Sequence, residues 1–308
     1  MTASRLIKAL LLAMALSPAP ASAQDKGALE PRALPPLAKP DDPATPAKDL
    51  FGRKGNPTQD APKVVGFYAK GCLAGADMLP ADGEAWQVMR LSRNRNWGHP
   101  ALTGFLKRTA SDLRAAKIWP GFLVGDMAQP RGGPMLTGHA SHQIGLDADV
   151  WLTPMPGHQL SRAEREEMSA TQMVRPDRLD IDPARWTPAH MAMLKTVAEK
   201  PEVQRIFVNP AIKKAICRDA RGDRAWLSKM RPMYGHDYHF HIRLSCPAGE
   251  TGCTRQDPVP EGDGCDASLA WWFTDEVLHP KPDPNAKPKP PMTMAALPNE
   301  CRAVLKAQ

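Results

Sequence analysis

The amino-acid sequence predicts an α+β fold in which helices flank a small antiparallel sheet and disulfides staple the elements together. Apolar residues recur at helical spacing in residues 100–118, whereas residues 122–126 form a short apolar run typical of a strand. Residues 147–152 and 236–244 alternate polar and apolar side chains, as strands do when one face is buried. The even set of six cysteines favours disulfides.

Capping residues mark further helix starts. The segment Ser-Arg-Ala-Glu from Ser161 is a capping box, and Thr187 and Asn209 each precede a proline, which is favoured at the first helical position. We therefore expect a helix after each of these three residues. A short strand at residues 205–208 and an apolar helix at residues 266–278 complete the predicted elements.

The first 23 residues have the pattern of a secretory signal. Arg5 and Lys8 are basic, residues 9–16 are apolar, and residues 21–23 are small, as at a cleavage site. The apolar run is shorter than the ~20 residues needed to span a bilayer. We therefore expect an exported, soluble protein that has no transmembrane segment once the signal is removed. Its formal charge would fall from +7 to +5, because Arg5 and Lys8 are the only charged residues removed.

Composition divides the remaining chain into three parts. Residues 24–62 are rich in Pro and Ala and are expected to form an extended lead-in with little core. Residues 63–278 are long enough for one domain with a substantial core, and residues 279–308 begin as a Pro/Lys-rich segment. Basic residues are dispersed and aromatic residues make up only 6% of the chain, so nucleic acid is not an expected partner. The oligomeric state is left open.

The cysteines are expected to be structural, since an exported chain is oxidised and no CxxC spacing occurs. Cys246 and Cys253 enclose a short loop and are expected to pair. If Cys301 returns to the domain, we expect it to bond with Cys72, which leaves Cys217 with Cys265. The expected disulfide framework is therefore Cys72–Cys301, Cys217–Cys265 and Cys246–Cys253.

Two segments contain five of the nine histidines together with three aspartates, Asp147, Asp149 and Asp237. One follows the pattern H-x-x-H-x(6)-D from His139 to Asp149, and the other follows H-x-x-H-x-H from His236 to His241. Imidazole and carboxylate groups are the usual ligands of a catalytic zinc, which has three protein ligands and one open position. The pattern predicts a Zn²⁺ site bound by His142, Asp149 and His241.

The other polar residues of these segments have expected roles beside the metal. His239 is the candidate general base or oxyanion stabiliser, and His236 is the second candidate if the chain bends after Gly235. His139 is either a metal ligand or a neighbour of one, and Asp147 is expected to orient a ligand imidazole. The remaining histidines are interpreted as structural, namely His99, His158, His190 and His279. The acidic group Asp177, Asp180 and Asp182 could hold a second cation, but a solvated loop is the favoured interpretation.

At these residues the chain resembles the penicillin-insensitive murein endopeptidases, a family within the superfamily of lysostaphin-type enzymes, D-Ala-D-Ala peptidases and hedgehog domains. The resemblance extends to residues 93–100, 138–147 and 206–213 and covers roughly residues 65–280. It implies a periplasmic zinc peptidase that cleaves D-alanyl–meso-diaminopimelyl cross-links in peptidoglycan, without a serine acyl-enzyme and so without sensitivity to β-lactams.

The resemblance also bears on individual residues. It implies that His139 lies near the metal and that three disulfides form. A second metal position of the family corresponds to Asp177 and Asp180, but Asp180 replaces a histidine, so that site is not expected here.

Two alternatives remain open at the level of sequence. A D,D-carboxypeptidase or dipeptidase of the same superfamily would need a cation to bind a free carboxylate, for which Arg243 and Arg131 are candidates. A non-catalytic wall-binding domain would use a structural zinc. A structural zinc takes four protein ligands, whereas His236 and His239 are additional to the three assigned here, which favours catalysis.

Overall fold

The computed structural model describes residues 26–283, 285–287 and 289–308. The predicted signal at residues 1–23 lies outside the described residues. Within the described part of the chain, none of the helices has both the length and the apolar character that crossing a membrane requires.

The described residues form eight α-helices and eleven strands. The helices are α1 (Ala47–Phe51), α2 (Pro100–Ala115), α3 (Arg162–Glu167), α4 (Pro188–Ala198), α5 (Pro210–Asp219), α6 (Ala267–Ala270), α7 (Asp275–Leu278) and α8 (Glu300–Lys306). The strands are β1 (Lys63–Phe67), β2 (Lys70–Ala74), β3 (Asp77–Met78), β4 (Asp82–Gly83), β5 (Trp86–Val88), β6 (Trp97–Gly98), β7 (Phe122–Val124), β8 (Asp147–Trp151), β9 (Val203–Val208), β10 (Met230–Pro232) and β11 (His239–Leu244).

The main sheet has seven strands in the order β10-β9-β11-β8-β7-β5-β4. Its central strands β9, β11, β8 and β7 are antiparallel to one another in that order, whereas β10 runs parallel to β9 and β5 runs parallel to β7. Two-stranded sheets, β1-β2 and β3-β6, lie beside it. The predicted α+β fold with an antiparallel sheet is thus confirmed, and the sheet extends further than expected through the parallel pairs β10-β9 and β5-β7.

The two faces of the central strands differ as their alternation predicts. Ala148 and Val150 of β8 and Ile242 of β11 are fully buried in the main apolar cluster. Buried side chains of α2 and α4, including Phe105 and Leu194, belong to the same cluster. Alternate residues of a strand point to opposite faces, so Asp147, Asp149, His239 and His241 lie together on the other side. The apolar face therefore anchors the strands that carry the polar one.

Most helix starts follow the capping residues. Ser161 forms the capping box with Glu164, and the side chain of Asn209 accepts a hydrogen bond from the amide of Ala211. The single helix expected at residues 266–278 is wrong: a 3₁₀ turn, Trp271–Phe273, separates α6 from α7. Three consecutive bulky aromatic residues favour the α-helix weakly, which is consistent with the break.

The lead-in contributes more core than its composition predicts. Ala47 and Phe51 of α1 are buried against Val65 and against the disulfide between Cys72 and Cys301. This second apolar cluster attaches the lead-in to β1, β2 and α8. The expectation of an extended segment with little core is therefore corrected for α1.

The structure contains the three disulfides expected from the sequence. Cys72–Cys301 joins β2 to α8 across 229 residues of sequence. Cys217–Cys265 joins the end of α5 to the segment before α6, and Cys246–Cys253 closes the loop after β11. Cross-links of this kind stabilise the fold chiefly by restricting the unfolded chain, more so for long loops.

Candidate active site

The register between β8 and β11 brings the two predicted metal segments together. His241 lies directly opposite Asp149, and Arg243 lies opposite Asp147. Side chains of directly opposed residues on one face of an antiparallel pair are within contact distance. Residues about ninety positions apart in sequence thereby become neighbours.

Asp149 is at the centre of the site, and each of its carboxylate oxygens faces two imidazoles. Oδ1 lies 3.2 Å from Nδ1 of His241 and 3.5 Å from Nε2 of His142. Oδ2 lies 3.3 Å from Nδ1 of His139 and 3.6 Å from Nε2 of His239. The potential ligand atoms of His139, His142 and Asp149 all lie within 4.8 Å of one another. His142 and His241, which were assigned as ligands from the sequence, thus face the same oxygen of Asp149, the third assigned ligand.

His142 is held in an unusual backbone conformation. Its φ of 68° lies in the left-handed region, which costs a residue with a side chain ~1–2 kcal/mol. Its amide donates a hydrogen bond to Oδ2 of Asp147 at 3.0 Å, which fixes the turn. Among the described residues, both ring nitrogens of His142 and Oδ1 of Asp149 are buried without a hydrogen-bond partner. Buried polar atoms are normally satisfied, so Nε2 of His142, which faces Asp149, and Oδ1 of Asp149 fit the donor set of a metal ion.

Asp147 lies against the imidazole of His241, as the sequence predicts. Its Oδ1 lies 3.1 Å from Nε2 of His241 and accepts from Nε of Arg243 at 2.7 Å. Its Oδ2 accepts from Nη2 of Arg243 at 3.1 Å. The side chain of Asp147 is fully buried. A carboxylate behind an imidazole fixes the ring orientation and leaves the opposite nitrogen, here Nδ1 of His241, directed at Asp149.

His139 is attached to a charged network that the sequence analysis missed. Its Nε2 lies 2.9 Å from Oδ2 of Asp126, which also accepts from Nη1 of Arg93 at 3.0 Å and from Nη1 of Arg95 at 2.8 Å. Asp126 follows β7, the strand beside β8. Its position at the end of that strand was the one sequence feature that could have indicated its place near His139. Arg93 and Arg95 lie in the segment 93–100 that carried the family resemblance, but no role was assigned to them.

His236 reaches the site because the strand begins later than predicted. Gly235 has a φ of 79°, and a turn at residues 234–235 and a bend at residues 237–238 precede β11, which begins at His239. The ring centroid of His236 lies 4.8 Å from that of His239 and 5.9 Å from that of His241. The bend that His236 was expected to need is present, so both candidate bases lie beside the predicted ligands.

Burial and charge set the protonation of the site. Burial lowers the pKa of His142 to about 4 and that of His239 to about 3. Burial also opposes charge on His241, but Asp147 and Asp149 outweigh it and raise the pKa to about 9. Burial would raise the pKa of Asp149, yet the surrounding histidines hold it well below its usual range. The site therefore combines an ionised carboxylate and neutral imidazoles with one position that favours positive charge.

The residues interpreted as structural lie in other environments. His99 caps α2 by accepting from the amide of Ala101, and His190 packs between Trp119 and Trp186. His158 is exposed beside Glu164. His279 is the residue that follows α7.

Each aspartate of the acidic group near residue 180 forms an ion pair with an arginine. Asp177 pairs with Arg175 at 2.5 Å, and Asp180 pairs with Arg218 at 2.8 Å. Asp182 lies 3.2 Å from Arg185. These ion pairs agree with the interpretation of this group as a solvated loop.

Both arginines suggested as a carboxylate clamp are engaged elsewhere. Arg243 is buried against Asp147, and Arg131 donates to backbone carbonyls in α8 and to that of Asn56. The carboxypeptidase alternative therefore loses the clamps that were expected for it.

The fold and the site define a class of protein: an α+β domain with a His/carboxylate site of the kind that metal-dependent hydrolases use. Comparison with known proteins gives the particular family. The profile of the penicillin-insensitive murein endopeptidases matches residues 64–306, and the chain belongs to this family of peptidases.

Curated relatives support that membership. The penicillin-insensitive murein endopeptidase of Haemophilus influenzae is 46% identical over 228 residues, which cover 73% of this chain and 77% of the relative. Those of Yersinia pestis and Klebsiella pneumoniae are 41% and 40% identical, and each alignment covers 81% of this chain and 88% of the relative. The resemblance inferred from the motifs is thus confirmed.

Proposed function

We propose that this protein is a zinc-dependent murein endopeptidase that hydrolyses D-alanyl–meso-diaminopimelyl cross-links in peptidoglycan. The observation that carries the proposal is the convergence of His142, Asp149 and His241 beside two further histidines, with the ring nitrogens of His142 and Oδ1 of Asp149 buried without a hydrogen-bond partner. Family membership supports the substrate class. In this proposal insensitivity to β-lactams follows because no serine attacks the peptide and no acyl-enzyme forms.

His142, Asp149 and His241 would hold the ion, and His139 would contact Asp149 from the other side. Zinc, when bound, supplies Lewis acidity that makes water nucleophilic near neutral pH and polarises the scissile carbonyl. The residues around the ion position its ligands and the neighbouring imidazole of His139. Asp147 holds the imidazole of His241 in place, and Asp126 does the same for His139 through its contact with Nε2.

His239 and His236 would transfer protons during the reaction. Nδ1 of His236 lies 3.0 Å from the carbonyl oxygen of Tyr234, which can only accept, so Nδ1 carries the hydrogen. Nε2 of a neutral His236 is then free to take a proton. Nε2 of His239 lies 3.6 Å from Oδ2 of Asp149, the oxygen that also faces His139. We assign His239 as the general base and His236 as the group that assists the leaving amine or replaces His239.

We place the enzyme in the periplasm. Residues 1–23 have the pattern of a secretory signal, and three disulfides suit an oxidising compartment. The substrate of the proposed reaction is found in the same compartment.

The test is a digest of purified, cross-linked peptidoglycan with and without a chelator, followed by mass spectrometry of the released muropeptides. Chelator-sensitive conversion of cross-linked dimers to monomers is expected, and the masses identify the bond. Loss of only a terminal D-Ala would instead identify a carboxypeptidase, and intact dimers in the presence of stoichiometric bound zinc would identify a binding domain. The Asp149→Ala variant serves as the inactive control.

A further inference from the structure

A groove of about 800 Å³ lies between the lead-in, residues 52–55 and the segment that carries Arg93 and Arg95. Its volume is in the range of ligand sites, ~300–1,000 Å³. Among the described residues, its charged lining is entirely basic. These basic residues, here named the cationic groove, are Lys26, Arg32, Arg53, Lys54, Arg93 and Arg95.

The cationic groove adjoins the candidate active site. Arg93 lines the groove and also lines the small cavity formed by Asp126, His139, Asp149 and His239. A ligand bound in the groove would therefore lie next to the candidate active site.

Hydrogen bonds fix the walls of the groove to the domain. The amide of Ala28 donates to Oγ of Ser92 at 2.9 Å, directly before Arg93. Arg53 donates to the carbonyl of Pro35 at 3.2 Å, which holds the lead-in over residues 52–55. Carbonyl acceptors leave the positive charge of Arg53 intact.

Among the described residues, no carboxylate forms an ion pair with the four basic residues of the groove that precede residue 64. Arg93 and Arg95 share one carboxylate, Asp126, which also contacts His139. Burial and the charge of Arg131 both lower the pKa of Lys54, and an anion bound beside Lys54 would oppose both effects. Arg32 is exposed on the lead-in. Clustered cations in a concave site attract and orient carboxylates.

We propose that the cationic groove binds the free carboxylates of the murein stem peptide next to the cleaved bond, an inference that rests on the proposed function. Stem peptides carry such groups, because their glutamate is linked through its side chain and diaminopimelate has two carboxyl groups. Glycan strands offer mostly neutral hydroxyls and amides, which do not require six cations. Four of these cations precede residue 64, where the family match begins, so the lead-in supplies a substrate subsite outside the matched region.

The test compares the Arg32→Gln/Lys54→Gln variant with the matched control Lys117→Gln/Arg255→Gln, which removes two charges from exposed residues outside the groove. The first readout is the dissociation constant for a fluorescent disaccharide-tetrapeptide monomer, which contains no cross-link to cleave. The second readout is kcat and KM on the cross-linked dimer. Each probe is used with free and with amidated stem carboxylates, and thermal unfolding checks that both variants fold.

We expect the groove variant to raise the dissociation constant and KM about three- to tenfold at low salt, with kcat within about twofold, since each lost ion pair contributes modestly. Added salt and amidation should both reduce the difference, and the control should match wild type. Equal binding of the monomer by the groove variant and wild type, or an effect of the same size with amidated probes, would overturn the inference. Wild-type binding without any cleavage of the dimer would overturn the proposed function but leave the groove assignment standing.

Discussion

Asp147 is the most informative residue to change, because one fully buried carboxylate holds three groups of the site. Its Oδ1 faces His241 at 3.1 Å and Nε of Arg243 at 2.7 Å. Its Oδ2 faces the amide of His142 at 3.0 Å and Nη2 of Arg243 at 3.1 Å. Each oxygen therefore meets two donors. In an Asp147→Asn variant the amide NH₂ group must face two of them, whichever way the side chain is turned.

The magnitude follows from that geometry. The substitution removes the charge that compensates buried Arg243, and breaking a buried ion pair costs about 3–5 kcal/mol of folding free energy. It also removes the group that orients His241, and loss of such a partner typically lowers metal affinity about 10–100-fold. We expect Asp147→Asn to lose stability with or without zinc and to bind zinc more weakly.

The assay separates the two effects. Denaturant unfolding in a chelator gives the metal-free stability, and competition with a chromophoric chelator gives the zinc affinity. Asp177→Asn is the matched control, because Asp177 is an exposed carboxylate paired with Arg175 and should change stability by less than about 1 kcal/mol. Wild-type stability together with wild-type zinc affinity in Asp147→Asn would refute this account of the site.

The other predictions concern the ligands, the bases and a buried lysine. His241→Ala and Asp149→Ala should each lose stoichiometric zinc, measured by metal analysis, as well as activity; zinc retained by both would exclude them as ligands. His239→Ala should keep zinc and lower kcat by about 10²–10⁴, the usual share of an acid–base group; near-wild-type turnover, with the loss found in His236→Ala instead, would transfer the role to His236. Lys213 is fully buried, and burial lowers its pKa to about 7. As pH rises above about 7 the folded chain releases this proton before the unfolded chain does, so wild type should gain stability relative to Lys213→Met by up to about 1.4 kcal/mol per pH unit until about pH 10. Denaturant unfolding across this range checks it, and a constant difference between the two proteins would contradict it.

Local patterns in the sequence were sufficient to predict the strands of the site and the starts of several helices. Alternation in residues 147–152 and 236–244 predicted which side chains share a face, and capping residues predicted the starts of α3, α4 and α5. Both signals arise from contacts within a few residues of the chain, so a single sequence contains them.

Relations between distant segments could not be predicted in the same way. The pairing of His241 with Asp149 depends on strand register, and the contact of Asp126 with His139 depends on β7 lying beside β8. The burial of Phe51 depends on the second apolar cluster, which joins both ends of the chain. The composition of residues 24–62 as a whole is rich in Pro and Ala, so it did not indicate the single short helix α1.

The Cys72–Cys301 bond has a consequence for the integrity of the chain. It connects β2 to α8, so residues 279–299 belong to a ring that is covalently closed. Proteolysis within this segment would leave both fragments in one molecule under oxidising conditions, with α8 still packed against β2 and its carbonyls still bonded to Arg131. Only a cut combined with reduction of the bond would separate the fragments, so a clipped enzyme would migrate as one species on a non-reducing gel and as two on a reducing one.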